Sequence, residues 1–312
     1  MPAQAIPAAR PPADPTPPVL DGLRQIAEGY DLILCDVWGV LHDGIRGHRA
    51  AAEALIRFRA LPPDGRPRRV VLVSNAPRPW EGVQRILDGF GVDRDAYDAI
   101  LTSGDLTRGM IATVQAERGR DIPIHHLGPE RDAGIFDGLG LSLVPATDCR
   151  LVVCTGLLDD DVETVEDYRA RLADFRGRGV PMICANPDLV VERGGRLIPC
   201  AGLIAAAFAE SGGVVTYAGK PHRPIYEEAL AMAGRLDGRE PPAKARVLAL
   251  GDALRTDIAG ADGFGLPNLL VARGIHAAEL GLTADSGDLG GLADWLATKP
   301  VRPGAVIEHL TW

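Results

Sequence analysis

The sequence predicts an α/β protein with an open, doubly wound parallel sheet. Short apolar runs recur along the chain without alternating polar residues, which is typical of parallel strands buried on both faces. Segments with apolar residues at every third or fourth position separate these runs and indicate helices. Strands that alternate with helices form right-handed βαβ units, so we expect helices on both faces of the sheet.

Each predicted strand is a run of three or four apolar residues. The runs cover residues 32–35, 70–73, 151–154, 182–184, 247–250 and 269–271. The clearest helical pattern covers residues 161–178, where apolar side chains repeat at helical spacing. Three aspartates, Asp159 to Asp161, precede this pattern and are expected to cap the helix, because carboxylates favour a helix N-terminus.

Length, charge and cysteine content limit the classes of function. The 312 residues allow about two domains, and the net charge of −9 disfavours binding to nucleic acid or to an anionic membrane surface. The five cysteines form no C-x-x-C pair and lie mostly in apolar runs, which indicates reduced thiols in a cytoplasmic protein. Residues 1–18 contain seven prolines and are predicted to form a disordered leader.

Polar residues follow four of the apolar segments, and the carboxyl ends of strands are where open α/β sheets bind ligands. These residues are Asp36 after residues 32–35, Ser74 and Asn75 after residues 70–73, Lys220 after the segment VVTYAG, and Asp252 with Asp257 after residues 247–250. Each is weak evidence alone, since an aspartate at a strand end is often a turn or helix-capping residue. Together their chemistry is consistent with one site.

The combined set matches the requirements of phosphoryl binding. Asp36 and Asp252 can share Mg²⁺, which favours one or two protein carboxylates completed by water and substrate oxygens. Lys220 supplies a positive charge that keeps the carboxylates ionised and contacts an anionic oxygen. The Ser74 hydroxyl and the backbone amide of Asn75 add neutral donors. The set therefore indicates phosphoryl binding beside a carboxylate nucleophile.

Four segments, in this order, resemble the four motifs of the haloacid dehalogenase (HAD) superfamily. They are DVWGV, VSNA, GKPHRPIY, and GDALRTDIAGADGFGL followed by LLVARGIH. The last two are specific and resemble class IIA, the NagD-like and nitrophenylphosphatase-like hydrolases. The resemblance extends from about residue 30 to about residue 297. It implies a Rossmann-like core with a smaller inserted α/β cap domain: core residues 19–101, the cap over 102–188, and a second core part with a C-terminal tail over 189–312.

The resemblance also implies a role for each matching residue. Asp36 would be the nucleophile that forms an aspartyl-phosphate, and Ser74, Asn75 and Lys220 would bind the phosphoryl group. The residues implied to hold Mg²⁺ are Asp36, Trp38 through its backbone carbonyl, Asp252 and, in support, Asp257.

The loop Ala185 to Asp188 matches the motif at the end of the class IIA cap, except that alanine replaces threonine. Asn186 and Asp188 are therefore candidates for substrate binding. Asp188 either enters the active site from the cap or caps a local turn. Caps of this class often mediate dimers, so a homodimer through the cap is also implied.

One position departs from the family pattern. Phosphatases of the superfamily normally carry a second aspartate two residues after the nucleophile, which protonates the leaving group and then activates water. Trp38 occupies this position, and its indole N–H can only donate, so help worth roughly 10²- to 10⁴-fold in rate is missing. His42 and Asp43 are weaker candidates to replace it, since Asp43 and the following glycine are also typical of a turn.

Arg78 either contacts substrate or, as we favour, lies at the surface near a helix start.

The leading hypothesis is a Mg²⁺-dependent phosphatase that acts on a small phosphorylated metabolite with an impaired or altered acid–base step. The main alternative is a binding or regulatory protein that keeps the Mg²⁺ and phosphate pocket. A third hypothesis is carbon–halogen hydrolysis through Asp36, which the retained Asp252 and Asp257 disfavour. The sequence does not identify the substrate, because variable cap loops determine specificity.

Overall fold

The structure is a computed structural model that describes residues 16–62, 64–193, 196–282 and 288–312. The leader predicted over residues 1–18 lies outside the described residues, except for residues 16–18. The described residues form a seven-stranded parallel sheet, a four-stranded parallel sheet and a two-stranded antiparallel hairpin. Among these residues, none of the helices has the length and apolar character needed to cross a membrane.

Strands and helices are numbered along the chain. The strands are β1 Val19–Leu20, β2 Leu32–Cys35, β3 Arg69–Ser74, β4 Ala99–Thr102, β5 Ile124–Leu127, β6 Leu151–Cys154, β7 Met182–Cys184, β8 Val190–Arg193, β9 Arg196–Pro199, β10 Val215–Tyr217, β11 Val247–Gly251, β12 Asn268–Val271 and β13 Ala305–Ile307. The α-helices are α1 Arg49–Arg59, α2 Trp80–Gly89, α3 Ser103–Arg118, α4 Arg169–Gly177, α5 Ala201–Glu210, α6 Arg223–Asp237, α7 Ala259–Phe264 and α8 Leu292–Ala297. Short 3₁₀ segments include Glu130–Phe136 and Val165–Tyr168, and a π-helical turn covers Leu254–Ile258.

The seven-stranded sheet forms the core and has the order β1-β13-β12-β11-β2-β3-β4. Side chains of the interior strand β2 alternate between two apolar clusters. Ile33 belongs to the cluster that contains Phe58 of α1, whereas Leu34 belongs to the cluster that contains Tyr226 of α6. Both faces of this strand are therefore buried, and the predicted doubly wound parallel sheet is confirmed.

The four-stranded sheet has the order β10-β7-β6-β5 and lies in a segment inserted between β4 and α6. We call this segment, residues 103–217, the cap. Phe175 of α4 and Phe208 of α5 are fully buried in the apolar cluster on this sheet. The prediction of a core interrupted by a smaller α/β cap is confirmed.

The strand before Lys220 does not lie in the sheet that the sequence indicated. The sequence analysis ended the cap at residue 188 and so assigned the segment VVTYAG to the core. This segment contains β10, which pairs in parallel with β7 of the cap sheet, with Val215 opposite Met182. The chain therefore adds the β8–β9 hairpin and α5 to the cap before it returns to the core. A short apolar run has the same appearance in either sheet, so its sequence could not distinguish the two.

The helix predicted over residues 161–178 begins after the acidic run that was expected to cap it. Its first turn starts at Val165, and Thr164 is the helix-capping residue, in a reciprocal capping box with Asp167. Asp160 pairs instead with Arg131 at 2.6 Å. The three aspartates therefore form part of the loop before the helix.

We predict that Phe208→Ala lowers the free energy of unfolding by about 3–5 kcal/mol, because it removes a fully buried aromatic side chain from the cap. Urea unfolding measures this loss. The matched control Val214→Ala lies in the same segment, but its side chain is 68% exposed, so the expected change is within about 0.5 kcal/mol. Equal effects of the two substitutions would contradict the assignment of α5 to the cap core.

Candidate active site

A buried lysine joins two carboxylates at the end of strand β2. Asp36 is the first residue after β2, and Lys220 Nζ donates hydrogen bonds to Asp36 Oδ1 at 2.5 Å and to Asp257 Oδ1 at 2.7 Å. All three side chains are buried. Predicted residues from two core loops and from the segment after the cap thus meet at one point.

Asp252 completes the acidic cluster. It follows β11, which is the neighbour of β2 in the sheet, and carboxylate oxygens of Asp36, Asp252 and Asp257 lie within 4.8 Å of one another. Backbone amides orient two of these groups: Ile275 N donates to Asp252 Oδ2 at 2.7 Å, and Ala253 N donates to Asp257 Oδ2 at 3.1 Å.

Burial raises the pKa of two carboxyl groups in this cluster. For Asp36, burial and the neighbouring Asp257 raise the pKa from 3.8 to about 7, although Lys220 opposes the change. For Asp252, burial, Asp36 and Asp257 raise the pKa well above its usual range. Burial alone would lower the pKa of Lys220, but the surrounding carboxylates outweigh it and raise that pKa, so the ammonium stays charged.

The cluster fits a divalent cation. Three buried carboxylates face a single ammonium group, so their full ionisation leaves an excess of negative charge that is expensive to bury. Clustered carboxylate oxygens are the ligands that hard cations such as Mg²⁺ and Ca²⁺ prefer. The side chains of this site that could hold a metal are therefore those of Asp36, Asp252 and Asp257. The backbone carbonyl of Trp38 is a proposed further ligand.

Two glycines that the sequence analysis did not single out allow the Asp252 carboxylate to fit. A Cβ atom on Gly274 would lie 2.1 Å from Asp252 Oδ2, and one on Gly39, whose φ is +81°, would lie 1.9 Å from the same oxygen. Both glycines are inside the quoted motifs, but only the folded geometry shows which carboxylate they approach.

The residues after β3 connect the lysine to the cap. Asn75 Oδ1 accepts a hydrogen bond from Lys220 N at 2.8 Å, while Asn75 Nδ2 donates to Lys220 O at 3.0 Å and to Asp188 Oδ1 at 2.9 Å. The Asn75 side chain thus fixes the Lys220 backbone. The backbone amide of Asn75, and not its side chain, stays the group predicted to bind phosphate. Ser74 is buried beside it, and its Oγ accepts from Ala76 N at 3.2 Å.

In the cap-motif loop, Asn186 and not Asp188 supplies the side chain that caps the local turn. Asn186 Oδ1 accepts from Asp188 N at 3.1 Å and so forms the local turn. The Asp188 side chain points instead to Asn75 and lines the same cavity as Asp36. Burial raises the pKa of Asp188 to about 6, while Lys220 and Asn75 oppose the change.

The cluster lines a cavity of about 170 Å³ between core and cap. Arg78 lines this cavity and pairs with Asp132 of the cap at 2.7 Å. The Asp132 side chain is only 4% exposed. Arg78 lies two residues before α2, as the favoured interpretation expects, and its side chain is 30% exposed. It also bridges core and cap at the cavity wall.

Neither Trp38 nor the candidates His42 and Asp43 offers a carboxylic acid to the cavity. The Trp38 indole N–H donates to the backbone carbonyl of Glu192 in the cap at 2.6 Å. His42 lines the cavity, but burial lowers its pKa to about 4, and its Nδ1 accepts from Gly44 N at 3.0 Å. Asp43 Oδ1 accepts two backbone N–H groups, from Ile45 and Arg46, which identifies it as a turn residue.

Two family models match this chain: a HAD-like hydrolase model over residues 217–312 and a haloacid dehalogenase-like hydrolase model over residues 33–142. A solved haloacid dehalogenase-like hydrolase from Brucella suis 1330 is 42% identical, covers 94% of this chain and 100% of its own, and superimposes with a TM-score of 0.79. The chain therefore belongs to the haloacid dehalogenase-like hydrolase family.

Two further proteins with known activity or structure are similar to this chain. D-glycerol 3-phosphate phosphatase from Mycobacterium tuberculosis is 29% identical over 260 residues, which is 82% of this chain and 67% of that protein. NagD from Escherichia coli is 24% identical, with a TM-score of 0.60 over 90% of this chain and 96% of its own, and this similarity shows the fold alone. The core and cap thus have the architecture of the class IIA enzymes that the motifs resembled.

We predict that Gly274→Ala lowers Mg²⁺ affinity by roughly tenfold or more, because the added methyl group displaces the Asp252 carboxylate. Isothermal titration calorimetry with Mg²⁺ measures the change. Gly263→Ala is the matched control, since no atom lies within 4 Å of its added Cβ. Equal Mg²⁺ affinity in both variants would contradict the proposed role of Asp252.

The raised pKa of Asp36 predicts a pH-dependent stability of the metal-free protein. Its folded pKa of about 7 lies above its ordinary 3.8, so its contribution is fully present below about pH 4 and is lost as pH rises through about pH 7. Thermal unfolding should show that Asp36→Asn stabilises the metal-free protein at about pH 8 and has a smaller effect at about pH 5. Parallel stability curves for the variant and the native chain across this range would contradict the prediction.

Proposed function

We propose that this protein is a Mg²⁺-dependent phosphatase that hydrolyses a small phosphorylated metabolite through an aspartyl-phosphate on Asp36. The observation that carries the proposal is the buried cluster in which Lys220 bonds to Asp36 and Asp257 beside Asp252. The similarity to a glycerol 3-phosphate phosphatase supports the substrate class, and the cavity volume of about 170 Å³ supports a compact substrate.

In the first step, an oxygen of Asp36 attacks phosphorus and the bond between phosphorus and the leaving oxygen breaks. Lys220 occupies Asp36 Oδ1, so Oδ2 would be the attacking oxygen. Bound Mg²⁺ would supply positive charge that neutralises the phosphoryl oxygens. Lys220 and Ser74 would contact those oxygens from the protein side.

In the second step, water attacks the phosphorus of the aspartyl-phosphate, which releases inorganic phosphate and restores the Asp36 carboxylate. Both steps move a proton that a second aspartate normally handles, and the Trp38 indole is bonded to the cap instead. We therefore propose slow turnover and a preference for leaving groups that need no proton, such as aryl or acyl phosphates. General acid–base help is worth roughly 10²- to 10⁴-fold, which sets the expected size of the deficit.

We also propose a cap boundary, an oligomeric state and a cellular location for this protein. We place the cap boundary after β10 and not at residue 188, because β10 pairs in the cap sheet. A homodimer through the cap and a reducing cytoplasmic location are proposed as well. The five buried, unpaired cysteines fit the second of these.

We predict that Asp36→Asn lowers phosphate release by at least about 10³-fold, since it removes the nucleophile. The measurement is phosphate release with Mg²⁺ from a panel that includes glycerol 3-phosphate, p-nitrophenyl phosphate and acetyl phosphate. Asp43→Asn is the matched control, because it makes the same chemical change in a turn of the same loop.

If native protein and Asp36→Asn release phosphate at the same rate, the enzymatic proposal is wrong.

A second candidate function, binding of a phosphorylated metabolite without turnover, is favoured by the engagement of Trp38 with the cap. Calorimetry distinguishes the two, because tight binding of a panel compound that is never hydrolysed would support the binding role.

A further inference from the structure

The β8–β9 hairpin forms one wall of the proposed substrate cavity. Val190, Val191 and Glu192 of β8 line the cavity, as do Ile198 and Pro199 of β9. The hairpin thus decides how much space a substrate has beside the nucleophile.

This hairpin is weakly held by the rest of the cap. Within the described residues its two strands pair only with each other and add to neither large sheet. In β9, Leu197 is 61% exposed and the ion pair between Arg196 and Asp161 is at the surface, whereas Ile198 is buried against the cavity. A two-stranded hairpin is only marginally stable by itself, so its position depends on contacts with other parts of the molecule.

Trp38 provides such a contact from the core. Its indole N–H donates to the Glu192 carbonyl at 2.6 Å, across the boundary between core and cap. The indole is fixed on the core side: its ring packs edge-on against His42 with a centroid distance of 4.9 Å, and His42 stacks on Phe90. Gly44 lies so close that an added Cβ would be 2.6 Å from the indole ring.

We propose that Trp38 is a positioning residue that fixes the β8–β9 hairpin over the cavity and so closes the substrate site. The inference rests on the proposed phosphatase function. The residue two positions after the nucleophile would then serve core–cap closure in place of proton transfer. Its backbone and its side chain would link the loop of Asp36 directly to the wall of the cavity.

The proposal predicts a separation of KM from kcat. If the site binds substrate only when the hairpin is closed, the apparent affinity equals the intrinsic affinity multiplied by the fraction of molecules that are closed. Trp38→Phe keeps an aromatic ring against His42 but removes the N–H donor. We expect it to raise KM for p-nitrophenyl phosphate by about fivefold, which is about 1 kcal/mol at 1.4 kcal/mol per tenfold change, with a smaller effect on kcat.

Trp295→Phe is the matched control, since its indole N–H also makes one hydrogen bond, to Glu279 Oε2 at 3.0 Å, but Trp295 does not line the cavity. KM of this variant should equal that of the native protein. A fall in kcat of Trp38→Phe with an unchanged KM would overturn the proposal, because it would place the indole at the reacting atoms.

Hydrogen exchange of the full chain with Mg²⁺ and without substrate tests the contact independently of turnover. Amides of residues 190–193 and 196–198 should exchange several-fold faster in Trp38→Phe than in the native protein or Trp295→Phe, while those of β2 and β3 should not change. Unchanged hairpin exchange would refute the positioning role even if the protein is an active phosphatase. Faster hairpin exchange in a protein that hydrolyses no phosphate would retain the contact and refute only the phosphatase function.

Discussion

The bond between the buried Lys220 ammonium and the carboxylates of Asp36 and Asp257 is the interaction on which the site depends. Burying several carboxylates is unfavourable unless positive charge and hydrogen bonds compensate for lost hydration. Lys220 supplies one positive charge, and backbone amides orient Asp252 and Asp257. The remaining excess of negative charge makes the cluster suitable for a divalent cation, whose positive charge would in turn attract a phosphoryl group.

The same interaction requires core and cap to assemble together. Lys220 follows a strand of the cap sheet, yet its side chain bonds to Asp36 at the end of a core strand. Asn75 holds the Lys220 backbone and the Asp188 carboxylate at once. The loops after β2 and β3 therefore carry the candidate nucleophile Asp36 and also contacts that join the cap to the core.

Much of this arrangement could be predicted from the sequence, because its physical causes are local. Continuous apolar runs indicated buried parallel strands, and polar residues at their carboxyl ends identified Asp36 and Asp252. The interpretation of Asp159 to Asp161 as a helix cap was wrong because Thr164 and Asp167 form a better local capping box. The sheet of β10 was missed because an apolar strand does not specify its neighbour.

Other features could not be predicted because they depend on distant parts of the chain. Arg78 pairs with a cap residue 54 positions away, and Trp38 donates to one 154 positions away. Neither partner is marked by a motif, and the carbonyl that receives the Trp38 indole is a backbone group that every residue possesses. The close approach of Gly39 and Gly274 to Asp252 likewise follows from the packing of three loops.

The central claim is that Asp36 accepts the phosphoryl group covalently. Its most direct test is acid quenching of the native enzyme during turnover of acetyl phosphate with Mg²⁺, followed by peptide mass mapping. We expect one peptide to gain the mass of a phosphoryl group, with the modification at Asp36 and absent without Mg²⁺. Steady phosphate release with an unmodified Asp36 at every quench time would contradict the account and would indicate direct attack by water.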